Sequence, residues 1–249
     1  MSLTIVILTK NEALNIVECV ENAKQVTDDV LVIDSGSMDD TVQLAKTAGA
    51  RVVYRAWDDD FAAQRNFAIE NSDAEWILYL DADERLNDEL VREVKKVFQG
   101  GQPARYRFVR RTSAFGKDFR FGVLGPDTVV RLFPRLQGKW KGKVHESVHS
   151  DLPIIQLKGY LKHYTYRDFP QYLAKMDMYS TIAAQNYFEQ GKKINWIHTA
   201  LHPVFAFLKS YILQGGFLEG YYGLLLSWNF AKYTRDKYVK LSALWRKSS

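Results

Sequence analysis

The chain of 249 residues has one cysteine, Cys19, so no disulfide can form within it. That thiol lies in a helix-like segment, where a buried structural role in a reducing, cytoplasmic compartment is the expectation. Several functional signatures are also missing. No Gly-x-Gly-x-x-Gly follows the first strand-like segment, which argues against a dinucleotide-binding fold. There is no Gly-Lys-Ser/Thr phosphate loop, no Cys/His zinc spacing and no Gly-x-Ser-x-Gly elbow. The opening Leu-Thr-Ile-Val-Ile-Leu has no basic region and cleavable apolar stretch before it, so a secretory signal is not expected. The apolar C-terminal stretches are interrupted by polar residues, glycines and His202-Pro203. They fall short of the ~20 uninterrupted apolar residues of a spanning helix.

Apolar residues make up 47% of the chain and charged residues 25%, an ordinary globular balance that excludes global disorder. The length suits one large α/β domain, or one domain with an appendage. A net charge of +5 hides an asymmetry: residues 1–100 hold 10 Lys/Arg against 20 Asp/Glu, and residues 101–249 hold 24 against 9. The basic second half points to an anionic partner such as nucleic acid, anionic lipid or a phosphorylated sugar. No recognition helix or aromatic sheet platform organises those basic residues, so nucleic acid is not the expected partner.

Short apolar runs alternate with helical patterns through the first hundred residues. Strands are expected at 3–8, 30–34, 51–54 and 76–80, and helices at 14–24, 41–48, 61–71 and 91–98. This alternation predicts a doubly wound, mostly parallel sheet flanked by helices, with ligands beyond the carboxyl ends of the strands. Glu12, Asp34 and Asp81 all fall there. Further strands are expected at 105–111, 128–133 and 154–161, and a long helix from Pro170 to about Glu189. A boundary near 190 separates residues 1–190 from an aromatic-rich helical extension, 191–249. That extension ends in a basic tail, a composition suited to peripheral contact with an anionic membrane face. Packing on the sheet or a homo-oligomer interface are the other uses open to it.

Trp76-Ile-Leu-Tyr-Leu-Asp-Ala-Asp-Glu-Arg85 reads as a buried strand ending in acids. If extended geometry continues, Asp81 and Asp83 share one side and form an oxygen claw for Mg²⁺ or Mn²⁺. A solvated turn capped by Asn87 or Asp88 is the plain alternative. Asp34 could meet a nucleobase or ribose, or simply bond its own turn. Arg65, in Gln64-Arg65-Asn66, could offset charge on a bound diphosphate or could be a solvated helix residue. His145-Glu146 could supply a general base beside a sugar, or be an exposed turn. His163 could complete a metal site, or be a structural histidine.

In order and spacing, the chain resembles the family 2 glycosyltransferases. The residues that carry this are Ile-Leu-Thr-Lys-Asn-Glu (7–12), Val-Ile-Asp-Ser-Gly-Ser-x-Asp-x-Thr (32–41), Ala-Gln-Arg-Asn (63–66) and Leu-Asp-Ala-Asp-Glu (80–84). Arg131-Leu-Phe133, Trp140-x-Gly-x-Val-His-Glu146 and Gly-Phe-Leu-Glu-Gly-x-x-Gly (216–223) are similar to the WaaE/KdtX-like subgroup of lipopolysaccharide-core glucosyltransferases. The resemblance implies a GT-A, Rossmann-like fold and inverting transfer of a hexose, glucose from UDP-glucose, to an inner-core heptose. It places Thr9, Glu12, Asp34, Gln64, Arg65 and Asp81 at the nucleotide. Asp81 and Asp83 would form a DxD motif, with Asp83 holding Mg²⁺ or Mn²⁺ most directly. Glu146 would be the base and His145 would shape the acceptor site. The implied partners are a UDP-hexose and a lipid-linked phosphorylated oligosaccharide at the cytoplasmic face of the inner membrane. The same chemistry on a lipid carrier, capsule precursor or protein is the alternative, as is a non-catalytic nucleotide-binding module.

Overall fold

The computed structural model describes residues 1–58, 60–142 and 146–248. Four strands, β1 (Leu3–Thr9), β2 (Val30–Asp34), β3 (Arg51–Tyr54) and β4 (Trp76–Asp81), lie parallel in the order β3-β2-β1-β4. Both faces of this half-sheet are covered, which is why its strands are unbroken apolar runs rather than alternating ones. Ile5 and Ile7 of β1 enter one core cluster, and Val6 enters the other. Helices α1 (Ile16–Lys24), α2 (Thr41–Thr47), α3 (Phe61–Glu70) and α4 (Asp88–Gly100) supply the covering layers. Cys19 of α1 is buried, and desolvation pushes its thiol up to about 12, as expected of a structural cysteine.

The chain steps from β1 outward to β2 and β3, then returns to the other side of β1 for β4. That reversal opens a crevice beyond the carboxyl ends of β1 and β4. Thr9 is paired with Asp34, and Leu8 with Asp81, so the polar residues closing three neighbouring strands line up along one edge.

Beyond β4 the sheet turns antiparallel. β8 (Asp127–Pro134) pairs with β4 and with β6 (Arg105–Ala114), and β11 (Ile154–Tyr166) pairs with the short β5 (Glu84–Leu86). The β7 strand (Lys117–Asp118) pairs with the end of β6, and β9 (Lys139–Lys141) and β10 (Ser147–His149) form a separate hairpin. The strand expected at 154–161 thus runs five residues further and takes in His163.

The chain divides into two compact units, Met1–Arg110 with Asp127–His163, and Arg111–Pro126 with Tyr164–Ser249. Residues 164–190 thus cluster with the C-terminal helices, as do residues 111–126. The physical reason lies in α5 (Phe169–Glu189), which packs with α7 (Tyr221–Ser248) in the second unit. Lys240 of α7 binds the Asp177 carboxylate of α5 at 2.7 Å. The second unit also holds α6 (Trp196–Leu208), a π turn at Lys209–Leu213 and a 3₁₀ turn at Gly216–Glu219. Its core is a ring cluster around Phe115, which stacks on Tyr222 at 5.5 Å and meets Tyr172 edge-on. No helix among the described residues is long and apolar enough to cross a membrane.

Candidate active site

Helix α3 begins where the Asp60 carboxylate caps the Ala63 amide, and its first turns deliver three consecutive polar side chains to three different loops. Gln64 donates to Ser35 Oγ and to the Arg55 carbonyl. Asn66 clamps the Trp140 backbone, donating to its carbonyl at 2.9 Å and accepting from its amide at 3.0 Å. Arg65 points at the end of β4. It is 3% exposed and not a solvated helix residue. The guanidinium lies 4.7 Å from the Trp140 ring centroid and 5.6 Å from that of Tyr79, contacts that favour a desolvated cation.

Arg65 Nη2 donates to Asp81 Oδ1 at 3.0 Å, and its Nε donates to Glu146 Oε1 at 3.2 Å. The other oxygen of Asp81 accepts from Arg131 Nη2 at 2.5 Å. That same nitrogen donates to Glu84 Oε1 at 2.8 Å. Glu84 is wholly buried, and its second oxygen takes the Asp81 amide at 3.0 Å. Arg110 adds a longer bond to Glu84 and a two-pronged one to Asp127. Burial opposes the charge on Asp81, but the Arg131 and Arg65 guanidiniums hold its carboxyl well below the usual carboxylate range. Arg131 is likewise buried against its charge, and Asp81 and Glu84 keep it protonated.

A cavity of about 710 Å³ opens on this network, lined among others by Arg65, Asp81, Arg131, Trp140 and Glu146. Three of these carry buried donors with no partner among the described residues: Arg65 Nη1, Arg131 Nε and Trp140 Nε1. Buried donors left unpaired in a cavity wall are costly unless a ligand supplies acceptors. The arrangement suits an anion or an oxygen-rich, sugar-like group.

The extended claw expected of Asp81-Ala82-Asp83 does not form. Extended backbone stops at Asp81, and residues 82 and 83 make a turn into β5. The two carboxylates take separate partners: Asp81 the arginines, Asp83 the His163 Nε2 at 3.3 Å. Burial depresses His163, but its bond to Asp83 and the nearby acids raise it above its ordinary value overall. Among the described residues, no group of three or more His, Cys, Asp or Glu is placed to hold a metal ion. Asp83 and His163 nevertheless offer an oxygen and a nitrogen side by side. That fits a hard ion which keeps waters and takes its remaining ligands from substrate phosphates.

Thr9, Glu12, Asp34 and Gln64 are not among the residues lining the cavity. Thr9 is buried at the end of β1, and its Oγ1 has no partner among the described residues, nor has Gln64 Oε1. Asp34 accepts from the Gly36 and Ser37 amides and from Ser37 Oγ, so it bonds its own turn. Glu12 accepts from Asn15 Nδ2 at 2.6 Å. His145 lies outside the described residues. The sequence reading missed Glu84 and Arg131 as members of the site. For Arg131 the available signal was a charged residue between the apolar pairs Val129-Val130 and Leu132-Phe133, since such a residue needs a buried partner.

A half-parallel sheet with a charged cluster at the carboxyl edge of its switch-point strand, flanked by helices, is the GT-A glycosyltransferase fold. The chain belongs to glycosyl transferase family 2, whose family model matches residues 4–151. An uncharacterized glycosyltransferase of Rickettsia prowazekii (strain Madrid E) is 29% identical over 238 residues, covering 90% of this chain and 81% of the relative. The lipopolysaccharide core biosynthesis glycosyltransferase LpsC of Rhizobium meliloti (strain 1021) is 27% identical over 240 residues, covering 90% and 88%. Among solved structures, the mannosyltransferase PcManGT of Pyrobaculum calidifontis, in complex with GDP-Man and Mn²⁺, shares the fold. It has a TM-score of 0.54 at 16% identity, over 99% of this chain and 88% of that one.

Proposed function

We propose that this family 2 glycosyltransferase moves a hexose, glucose from UDP-glucose, with inversion onto the heptose of a phosphorylated lipopolysaccharide inner core. The observation that carries the reading is the cluster at the end of β4. Arg65 there holds Asp81 on one side and Glu146 on the other, facing a cavity with unpaired donors. Similarity to LpsC supports the acceptor class, and the GDP-Man and Mn²⁺ bound by PcManGT support a nucleotide-sugar donor and a divalent ion.

In this reading the nucleoside occupies the crevice beyond β1 and β2, near Thr9 and Gln64, whose unpaired oxygens face no other described partner. Asp83 and His163 would hold Mg²⁺ or Mn²⁺, which supplies charge neutralisation for the diphosphate. Glu146 accepts the proton of an acceptor hydroxyl as its oxygen bonds to the anomeric carbon. The bond from that carbon to the diphosphate oxygen breaks on the opposite face, and UDP leaves with the electron pair. Arg65 and Arg131 stabilise the charge that develops there. Their charge is fixed in place before substrate arrives, so little reorganisation is needed.

Glu146→Gln tests the base. UDP affinity is expected to stay within about twofold of wild type, while kcat for transfer falls by about a hundredfold or more. Unchanged transfer in this variant would remove Glu146 from that role.

A further inference from the structure

Residues 196–228 form a surface almost empty of charge. Lys209 is the one exposed ionic side chain in this stretch, and Glu219, its one acid, is turned inward. There Glu219 takes Lys117 Nζ at 2.6 Å and accepts from the Arg120 and Phe121 amides. Burial works against its charge, yet those bonds hold its carboxyl below the ordinary value.

Helix α6 is apolar on two faces. One packs on α7, with Ala206 and Ser210 buried and His202 Nδ1 at 3.1 Å from the Tyr238 hydroxyl. The other carries Leu201, Phe205, Leu208 and Ile212, all exposed, at the spacing of a single helical stripe. The stripe runs on into the turns, where Leu213 is 75% and Tyr221 73% exposed. Helices apolar all round belong in a protein core or in lipid, and an apolar surface this continuous marks an interaction site.

The chain next to this surface is basic. Lys192 and Lys193 precede it, and Lys232, Arg235 and Lys237 follow it with Asp236 as the lone acid. A second copy of the chain, docked through the same patch, would set one basic rim against another. Anionic headgroups complement that rim, and tryptophan and tyrosine at the patch edge suit the bilayer interface.

We propose that residues 196–228 dip into the interface of an anionic phospholipid bilayer, as a monotopic anchor with the basic rim at the headgroups. This holds whatever donor and acceptor the cavity takes. The test is flotation of the full chain with phosphatidylcholine vesicles and with vesicles carrying about 30% phosphatidylglycerol. Two double variants accompany it: Leu213→Glu with Phe217→Glu, and Lys232→Glu with Arg235→Glu. All four side chains are exposed, so folding is retained, and circular dichroism verifies it.

The wild type should float with anionic vesicles. The first variant should lose at least about tenfold in partitioning. The second should lose at least about fivefold on anionic vesicles and nothing on neutral ones. Three results overturn the proposal. They are wild type that floats with neither vesicle, a first variant that floats like wild type, and a stable dimer in light scattering that the first variant dissociates while wild type stays off the vesicles.

Discussion

Arg131 reaches Asp81 and Glu84 through one nitrogen, and Glu84 sits where water cannot replace it, while Asp81 is half-buried. Removing Arg131 leaves Asp81 with Arg65 alone and the buried Glu84 with only the longer Arg110 contact, and breaking a buried pair costs about 3–5 kcal/mol. Arg131→Met should therefore lower the melting temperature by roughly 6–20 °C for a chain of this size, measured by differential scanning calorimetry. An unchanged melt would mean that Arg65 and Arg110 hold Asp81 and Glu84 without it. The same cluster sets an acid limit. Asp81 titrates well below its ordinary value when folded. Its contribution to stability is thus present above about pH 4, the unfolded carboxylate value, and is lost as pH falls below it. Asp81→Asn should flatten the acid limb of the melting-temperature profile relative to wild type, and a parallel limb would contradict this.

Some of this was legible in the residue string. Asp81, Arg65 and Glu146 could be named because they close apolar runs or sit in short polar motifs, and the fold brings those three together. Glu84 and Arg131 were harder to see. Their pairing joins positions 47 residues apart, and only the antiparallel placement of β8 beside β4 brings them into contact. The turn at residues 82 and 83 was equally hidden, because two-residue periodicity cannot show where extended backbone stops.

Helix α3 shows how an element can carry more than its pattern suggests. Its Gln-Arg-Asn run looks like the solvated face of a helix, yet each side chain secures a different loop. In the second unit, packing rests on closeness. A β-carbon placed on Gly223 of α7 would stand 1.7 Å from the Gly216 carbonyl oxygen. Alanine ordinarily favours a helix over glycine by about 1 kcal/mol, so Gly223→Ala would stabilise an α7 whose start lay free. With the contact in place, the melting temperature should fall instead, and a rise would show that the two turns do not meet. Strand and helix positions in the first hundred residues follow the hydrophobic periodicity within two residues at most ends. The α6–α7 arrangement did not, since a two-faced apolar helix and a π turn give no single period to read.

Charge is divided along the whole chain as function would need it. The acidic first hundred residues build the parallel half-sheet and supply Asp81 and Arg65, and the basic remainder supplies Arg110, Arg131 and Glu146 to the same cavity. Family membership and the GT-A fold follow from motifs close in sequence. In the proposed reading the acceptor is chosen by a cavity whose walls come from β6, β8 and the β9–β10 hairpin, far apart in the chain. The central claim is that the β4 edge, with Asp83 beside Asp81, is a nucleotide-sugar transfer site. It is tested most directly by measuring nucleoside diphosphate release across a panel of UDP-hexoses with Mn²⁺, for wild type and Asp83→Ala. The account predicts release from one donor by wild type, at least about a hundredfold faster than by the variant. Equal rates from the two proteins would contradict it.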